Sequence, residues 1–470
     1  MEKSCPKHGH FTDVIFSDAD IYRRAGEWFF EDGKGISNPM VNNAIQCPGQ
    51  CGICNRHTSH TCVANINLTN RCNLKCSICF ANADTEGYLY EPSYEQVIQM
   101  LKTYRNERPV PAIYVQFSGG EPTLHPQFLE ILQAAKKLKF DHIQIASNGL
   151  KLSDIRFAEK CAQSGLHTVY LQFDAVTDDI YLKLRGRALL DQKIQAVENV
   201  RKTNMRIILV PTVVKGINDH QTGDIVKFAL NNLDVVFGIS FQPVAFTGRI
   251  SKEDVAVGRV TLSDLAIWVE EQTGFANAKN DWFPLSALIP FSHFGGAVSG
   301  KEITTVSCHP HCALCTFFFV DKKTSVPVPV TRFVDLKALL FEVSRLSRHA
   351  NPMQFQFISK VKLWNKTRKY FHPEKAPAGL TFRKFLQALD GYASTQVSRG
   401  PDSQKHLYPN LFVAGMHFMD AYNYDLERVR RCVIHYSAPD GRIYPFCSYN
   451  SGPVFRETVE KKFSLPKRSR

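Results

Sequence analysis

The sequence predicts an α/β chain built on six parallel strands, and three observations carry that reading. Between residues 63 and 246, short β-branched runs alternate with stretches whose apolar residues recur at helical spacing. The strand runs are continuously apolar, as in sheets covered on both faces. The chemically distinctive residues follow the strands, which is where ligand sites collect in parallel α/β folds.

Each element can be justified in order. "VANINLT" is a β-rich strand that runs straight into a cysteine loop, and "EPSYEQVIQMLKTYR" repeats its apolar residues at helical spacing. "AIYVQFSGGEPTL" is a strand entering a Gly-Gly turn, "HPQFLEILQAAKKLKF" a helix, and "HIQIASNG" a strand ending in Asn-Gly. "SDIRFAEKCAQSG" is a helix with a glycine stop, followed by the strand "TVYLQFDAV". The helix "DQKIQAVENVRKTN", strand "MRIILVPTVVKGIN", helix "DIVKFALNN" and strand "VVFGISFQPVAF" complete the series. Every crossover is long enough for parallel pairing, in a barrel or a doubly wound sheet. The cysteine loop, Gly119 to Pro122, Ser147 with Asn148 and Gly149, Asp174 and Gln242 all follow strands, so they should converge in space.

The 470 residues suggest two or three domains. We divide them into an N-terminal cysteine-rich metal-binding segment, 1–62, a core, 63–250, and a C-terminal α+β domain, 251–470. The last part holds aromatic and basic helices and a hairpin-like tail, "CVIHYSAPDGRIYPFC", turning at Asp-Gly. Hydrophobic residues at 44% and charged residues at 21% fit a globular protein and argue against disorder. No apolar run approaches bilayer length, and "MEKSCPKHGHF" lacks the apolar stretch of a secretory signal. The expected location is the cytoplasm, with peripheral contact at the inner membrane face admitted. A net charge of +13 calls for an anionic partner: nucleic acid, phosphorylated cofactor or anionic lipid.

In a reducing compartment the clustering of the 14 cysteines argues for metal rather than disulfides. Cys47, Cys51, Cys54 and Cys62 form one group, Cys72, Cys76 and Cys79 a second, and Cys308, Cys312 and Cys315 a third. Cys161 lies in a helical stretch and reads as core. Three thiolates on a four-iron cluster leave one iron open, as a catalytic zinc site leaves a position for its ligand.

Cys72, Cys76 and Cys79, with Phe80 beside them, follow the first strand, and Gly119-Gly120-Glu121-Pro122 follows the second. This arrangement resembles the radical S-adenosylmethionine (radical SAM) superfamily, over about 185 residues. The resemblance implies a partial (β/α)6 radical SAM barrel, a [4Fe–4S] cluster on the three cysteines, and "GGEP" backbone against the methionine amino group. It further implies reductive cleavage of S-adenosylmethionine to a 5′-deoxyadenosyl radical, with a ferredoxin or reductase as electron donor. Ser147, Asn148, Gln172, Asp174 and Arg185 are candidate contacts to cofactor or substrate, or equally caps and turn residues.

The four thiolates of "CPGQCGICNRHTSHTC" can close a cluster by themselves. Cys308, Cys312 and Cys315 need a fourth ligand, Cys447 or Cys432; resemblance to auxiliary-cluster domains of the superfamily favours Cys447. His57, His60, His309 and His311 read as loop residues. Cys5 and His8 have the C-x-x-H spacing of half a four-ligand knuckle.

"CPKHGHF", "CPGQCGIC", "HTCVANINLTNRCNLKCSICFA", "CHPHCALC" and "RCVIHYSAPDGRIYPFCSYN" together resemble archaeal tetraether lipid synthase and its close relatives. That resemblance implies two additional [4Fe–4S] clusters, a mononuclear iron near the N-terminus, and coupling of isoprenoid chains of membrane phospholipids. Members of that family carry a further C-x-x-C upstream of the "CPxHG" element. Either this homologue lacks the mononuclear site or Met1 is an internal methionine, and we expect the latter. A helix over "NPMQFQFISKVKLWNKTRKYF", with Phe357, Ile358, Val361 and Trp364 opposite Lys360, Lys362, Lys366, Arg368 and Lys369, would suit an anionic lipid surface or be an ordinary surface helix.

The main expectation is therefore a carbon–carbon coupling enzyme with a phospholipid or other hydrophobic substrate. A radical SAM methyltransferase acting on a pterin or similar heterocycle shares every cysteine and differs in requiring a compact polar pocket. A zinc-dependent nucleic-acid-binding protein explains the cysteines and the charge but not a three-cysteine set beside "GGEP", so no nucleic-acid partner is expected.

Overall fold

The computed structural model describes residues 1–7, 9–28, 33–84, 87–250, 258–300, 302–348, 363–393 and 408–466. His8, and Phe357, Ile358, Lys360, Val361 and Lys362 of the expected basic helix, lie outside the described residues.

Six strands form the core: β1 (Val63–Thr69), β2 (Tyr114–Gly119), β3 (His142–Ser147), β4 (Thr168–Gln172), β5 (Arg206–Val210) and β6 (Val236–Pro243). All neighbouring pairs from β1 to β6 are parallel and consecutive in space. The helices between them form where the sequence places start signals. The helix Tyr94–Arg105, here α1, begins in a Ser93/Gln96 capping box and buries Val97, Met100, Leu101 and Tyr104. Asp154 caps α2 (Ile155–Gln163), which turns Ala158 and Cys161 into the core. The helix Asp178–Arg185, α3, ends on left-handed Gly186, and α4 (Leu190–Arg201) follows at once.

Four strands from the C-terminal half of the chain extend this sheet, two at each edge. β7 (Ala313–Val320) runs antiparallel to β8 (Asn410–Met416), and β8 adds to β6 in parallel. At the opposite edge β9 (Ile434–Ser437) pairs in parallel with β1 and antiparallel with β10 (Ile443–Pro445). The β9–β10 connection is the expected turn, with Gly441 at φ +84°. The sequence boundary at residue 250 is thus not a break in the sheet: these C-terminal strands flank the barrel strands. The sheet is a partial barrel whose strand order, from one edge, is Phe283–Pro284, β7, β8, β6, β5, β4, β3, β2, β1, β9, β10.

The main core lies between the sheet and its helices. A second, largely aromatic core, with Phe283, Phe317, Phe319, Phe333 and Phe385, packs beneath β7. A third joins Tyr90, Tyr436, Tyr444 and Phe446 to Cys447 beside the cysteine loop. No helix among the described residues is long and apolar enough to cross a membrane.

Candidate active site

The cysteine loop leaves β1 and is tied down on every side. Gly120 N–H donates to Thr69 O at 2.8 Å and Glu121 N–H to Arg71 O at 2.8 Å, so the "GGEP" turn lies directly under the loop. Gly119 has φ +126°, and a Cβ there would sit 2.3 Å from Thr69 O; one on Gly120 would sit 2.2 Å from Arg71 O. Only glycine allows this approach. The far side of the loop is held by arginines: Arg249 donates to Cys76 O (2.8 Å), Arg185 to Ile78 O (3.2 Å) and Arg456 to Phe80 O (3.1 Å). Cys72, Cys76 and Cys79 are all half-buried, and burial pushes the Cys72 thiol up to about 12.

All three cysteines line one cavity of about 480 Å³ inside the partial barrel. Of the other residues picked from the sequence, Phe80, Gly119, Gly120, Ser147, Asn148, Gln172 and Arg185 line it too. Glu121, Pro122 and Asp174 stand behind its wall. Glu121 accepts from the Thr123 hydroxyl (2.6 Å), the Ser147 hydroxyl (2.9 Å) and Asn148 N–H (2.9 Å), bracing the ends of β2 and β3. Asp174, with no solvent exposure, holds Arg185 through a two-point ion pair at 2.7 and 2.8 Å and accepts Thr212 N–H at 3.0 Å.

Several cavity residues escape a reading based on strand ends. Gln116 and Gln144 project from the middle of β2 and β3, and a carboxamide ladder runs across the floor. Gln144 donates to Gln116 (2.6 Å) and Gln116 to Asn65 (2.7 Å). Tyr170 and Gln242 also line the cavity, and burial pushes the Tyr170 phenol up. The opposite wall is apolar and comes from the C-terminal strands and their continuations: Met416, Phe418, Ile434, Tyr436 and Phe446. Phe418 stacks on Phe446 at 4.0 Å between ring centres. Lys193 on α4 is wholly buried behind the wall, donating to Asn148 O at 2.5 Å and Gln172 Oε1 at 2.8 Å. Alternate glutamines in "VQF" and "IQI" are the sequence signal for the floor; nothing local marks Lys193.

The remaining cysteines regroup. Cys47, Cys51 and Cys54 line one depression with Val429, Arg430 and Pro445. Cys62 is not with them: it packs against Cys308 and Val433, with Cys312 alongside, and its thiol donates to Thr305 O. The reason is β1 itself, whose first residues pair with β9 and draw Cys62 under the 305–312 segment. Cys315 lies on β7 and faces the aromatic core. Cys432 and Cys447 sit side by side in the third core, with Cys47 at its margin. Cys5 is half-buried on the N-terminal hairpin strand Glu2–Cys5, and Cys161 is fully buried in α2. The four loop histidines find protein partners: His57 at Cys432 O, His60 at Thr305 N–H, His309 at His311 N–H and His311 at Tyr22 O.

Among the described residues, no three Cys, His, Asp or Glu side chains converge in the geometry of a bound ion. The fit to iron–sulfur clusters therefore rests on the donor set: soft thiols grouped along the chain. Cys72, Cys76 and Cys79 meet that test, being the thiols that open onto the cavity.

A family model described as the radical SAM superfamily matches residues 66–229. A 7,8-dihydro-6-hydroxymethylpterin dimethyltransferase of Methanocaldococcus jannaschii is 38% identical over 468 residues, covering 99% of this chain and 91% of that protein. A GTP 3′,8-cyclase of Clostridium acetobutylicum is 25% identical over 55% of this chain and 78% of its own. Among solved structures, Streptococcus suis SuiB bound to its precursor peptide SuiA aligns over 46% of each chain, at 21% identity and a TM-score of 0.38.

Proposed function

We propose that this chain, which belongs to the radical SAM superfamily, is a methyltransferase acting on a reduced pterin or a heterocycle of like size and polarity. The observation that carries the reading is the cavity at the cysteine loop. It is compact, its floor is a ladder of carboxamides, and its opposite wall is aromatic. A flat heterocycle rimmed with donors and acceptors is matched by such a pocket, stacking on one side and hydrogen-bonding on the other. Two isoprenoid tails need a long apolar passage, which a floor of glutamines opposes. The similarity along almost the whole chain to a protein named for pterin methylation favours the same substrate class over the lipid coupling expected from the sequence.

The enzyme uses S-adenosylmethionine and a [4Fe–4S] cluster, which together supply one-electron cleavage to a 5′-deoxyadenosyl radical. On this reading Cys72, Cys76 and Cys79 hold the cluster. The Gly119-Gly120 backbone, braced by Glu121, shapes the rim beside it. Arg185, kept in place by Asp174, and Gln172, kept in place by Lys193, present polar groups to the cofactor side of the cavity. Phe80, Phe418 and Phe446 close the apolar side and exclude water from the radical.

The test is anaerobic expression in a host followed by mass spectrometry of its pterins. The reading expects a reduced pterin that gains mass in methyl increments only when the protein is present. Unaltered pterins beside cluster-loaded protein, or coupled membrane lipids in their place, would overturn it.

A further inference from the structure

Arg428 is a buried cation whose hydrogen-bonding partners include no carboxylate. It is 6% exposed, lies on the short helix Leu426–Arg430 and touches Cys312. Its Nε donates to Cys312 Sγ at 3.3 Å and its Nη2 to His417 O at 2.6 Å. Among the described residues no carboxylate is hydrogen-bonded or ion-paired to its guanidinium. The neighbouring acids are engaged elsewhere: Asp425 accepts the backbone N–H groups of Glu427 and Arg428, Asp420 pairs with Arg259, and Glu427 with Arg430.

Arginine does not shed its proton, so a buried guanidinium needs a nearby anion, and leaving one uncompensated is strongly unfavourable. Asp425, engaged at the start of the helix, also acts on Arg428 electrostatically but less than the thiols, which are the groups that act on its guanidinium most strongly. Cys312 touches it, Cys447 acts on it electrostatically, and Cys432 lies beside Cys447. A protonated thiol is neutral and a weak acceptor, so it does not compensate the cation. Coordination to metal deprotonates a thiol outright and supplies the missing negative charge.

We propose that Arg428 is the counter-charge of an iron–sulfur centre whose thiolate ligands include Cys312 and Cys447, and that it raises the reduction potential of that centre. Reduction adds one electron to the centre, and a fixed positive charge in a low-dielectric site stabilises the reduced, more negative form. Arg428 itself exchanges neither proton nor electron. It acts through Cys312 as a positioning and charge-compensating residue, distinct from the cavity that takes the proposed substrate.

The experiment is a redox titration of the full chain, reconstituted anaerobically with iron and sulfide and monitored by electron paramagnetic resonance. In Arg428→Gln the midpoint potential of one auxiliary centre should move to a more negative value, while the signal of the cysteine-loop cluster stays in place. Arg428→Lys, which keeps the charge and loses the planar fork, should restore most of the shift. Loss of iron from the glutamine variant with retention in the lysine variant would equally assign the role to charge. Unchanged potentials in Arg428→Gln at full iron content overturn the proposal. So does equal loss of iron in both variants, which would make Arg428 a packing residue.

Discussion

Lys193 Nζ donates to Gln172 Oε1 at 2.8 Å and to Asn148 O at 2.5 Å from a site with no solvent exposure. One buried ammonium thus sets two positions on the cavity wall, at the ends of β3 and β4. Burial pushes the Lys193 amine down to about 7, against the opposing pull of Asp174.

The first prediction follows from that displacement. Between about pH 7 and the ordinary lysine value of 10.5, the unfolded chain holds a proton that the folded chain has released. Stability attributable to this residue therefore rises with pH across that window. Urea unfolding of the parent and of Lys193→Met should differ in slope there, the variant being flatter. Lys193→Met should also raise the KM for S-adenosylmethionine, because Gln172 and Asn148 lose their anchor. Parallel slopes and an unchanged KM would remove the residue from the site.

The six core strands, their order and the strand-end motifs were legible because each depends on local pattern: β-branched runs, caps and glycine stops. Lys193 was not, since a lysine in "LDQKIQAVENV" looks like the solvent face of an amphipathic helix until α4 brings it against the ends of β3 and β4. Gln116 and Gln144 were hidden for the opposite reason. A strand covered by helices outside and a cavity inside carries a few polar residues in an otherwise apolar run. The position of Cys62 was beyond any local reading, because its neighbours Cys308 and Val433 lie hundreds of residues away and meet it only when β9 joins β1. That pairing also brings Phe446 to the cavity, and the pairing of β8 with β6 brings Phe418, and with them comes the contrast between a polar floor and an aromatic wall.

Glu107 supplies a second test of buried charge. Its carboxyl accepts from the Thr61 hydroxyl at 2.7 Å, and burial pushes it up to about 8. A carboxyl raised above its unfolded value of 4.5 contributes stability that is whole below that value and is lost as pH climbs to about 8. Glu107→Gln cannot ionise, so the variant should lose this decline and gain relative to the parent by a few kcal/mol at alkaline pH. Denaturant midpoints measured from pH 5 to 9 check it, and identical pH profiles would show that Glu107 is not buried as a neutral acid.

Gly119 ties the cysteine loop to the second strand at a distance no side chain fits. Gly119→Ala places a methyl 2.3 Å from Thr69 O at φ +126°, which costs on the order of 1–3 kcal/mol and displaces the loop. Formation of 5′-deoxyadenosine should fall by at least about tenfold, since a small misplacement at a reacting centre is expensive. Gly216→Ala, also at positive φ but with open space around it, should lose stability without losing that activity. Equal loss of activity in the two variants would mean that the close approach to Thr69 is incidental.

The carboxamide floor gives the sharpest test of substrate class. Gln144 donates to Gln116, which donates to Asn65, so the orientation of each amide is fixed before any substrate arrives. Gln144→Leu keeps the bulk, breaks the ladder and removes one polar contact from the floor. If a pterin edge is read there, its KM should rise by about tenfold to a hundredfold, the usual cost of leaving buried polar groups unpaired. Cleavage of S-adenosylmethionine in the absence of pterin should continue, because the cysteine loop and the Gly119-Gly120 turn are built from other residues. Steady-state methylation and uncoupled 5′-deoxyadenosine formation, measured on the same preparation, separate the two effects. A Gln144→Leu enzyme with unchanged KM but abolished cleavage would place the glutamine on the cofactor side instead, and would move the heterocycle toward the aromatic wall of Phe418 and Phe446.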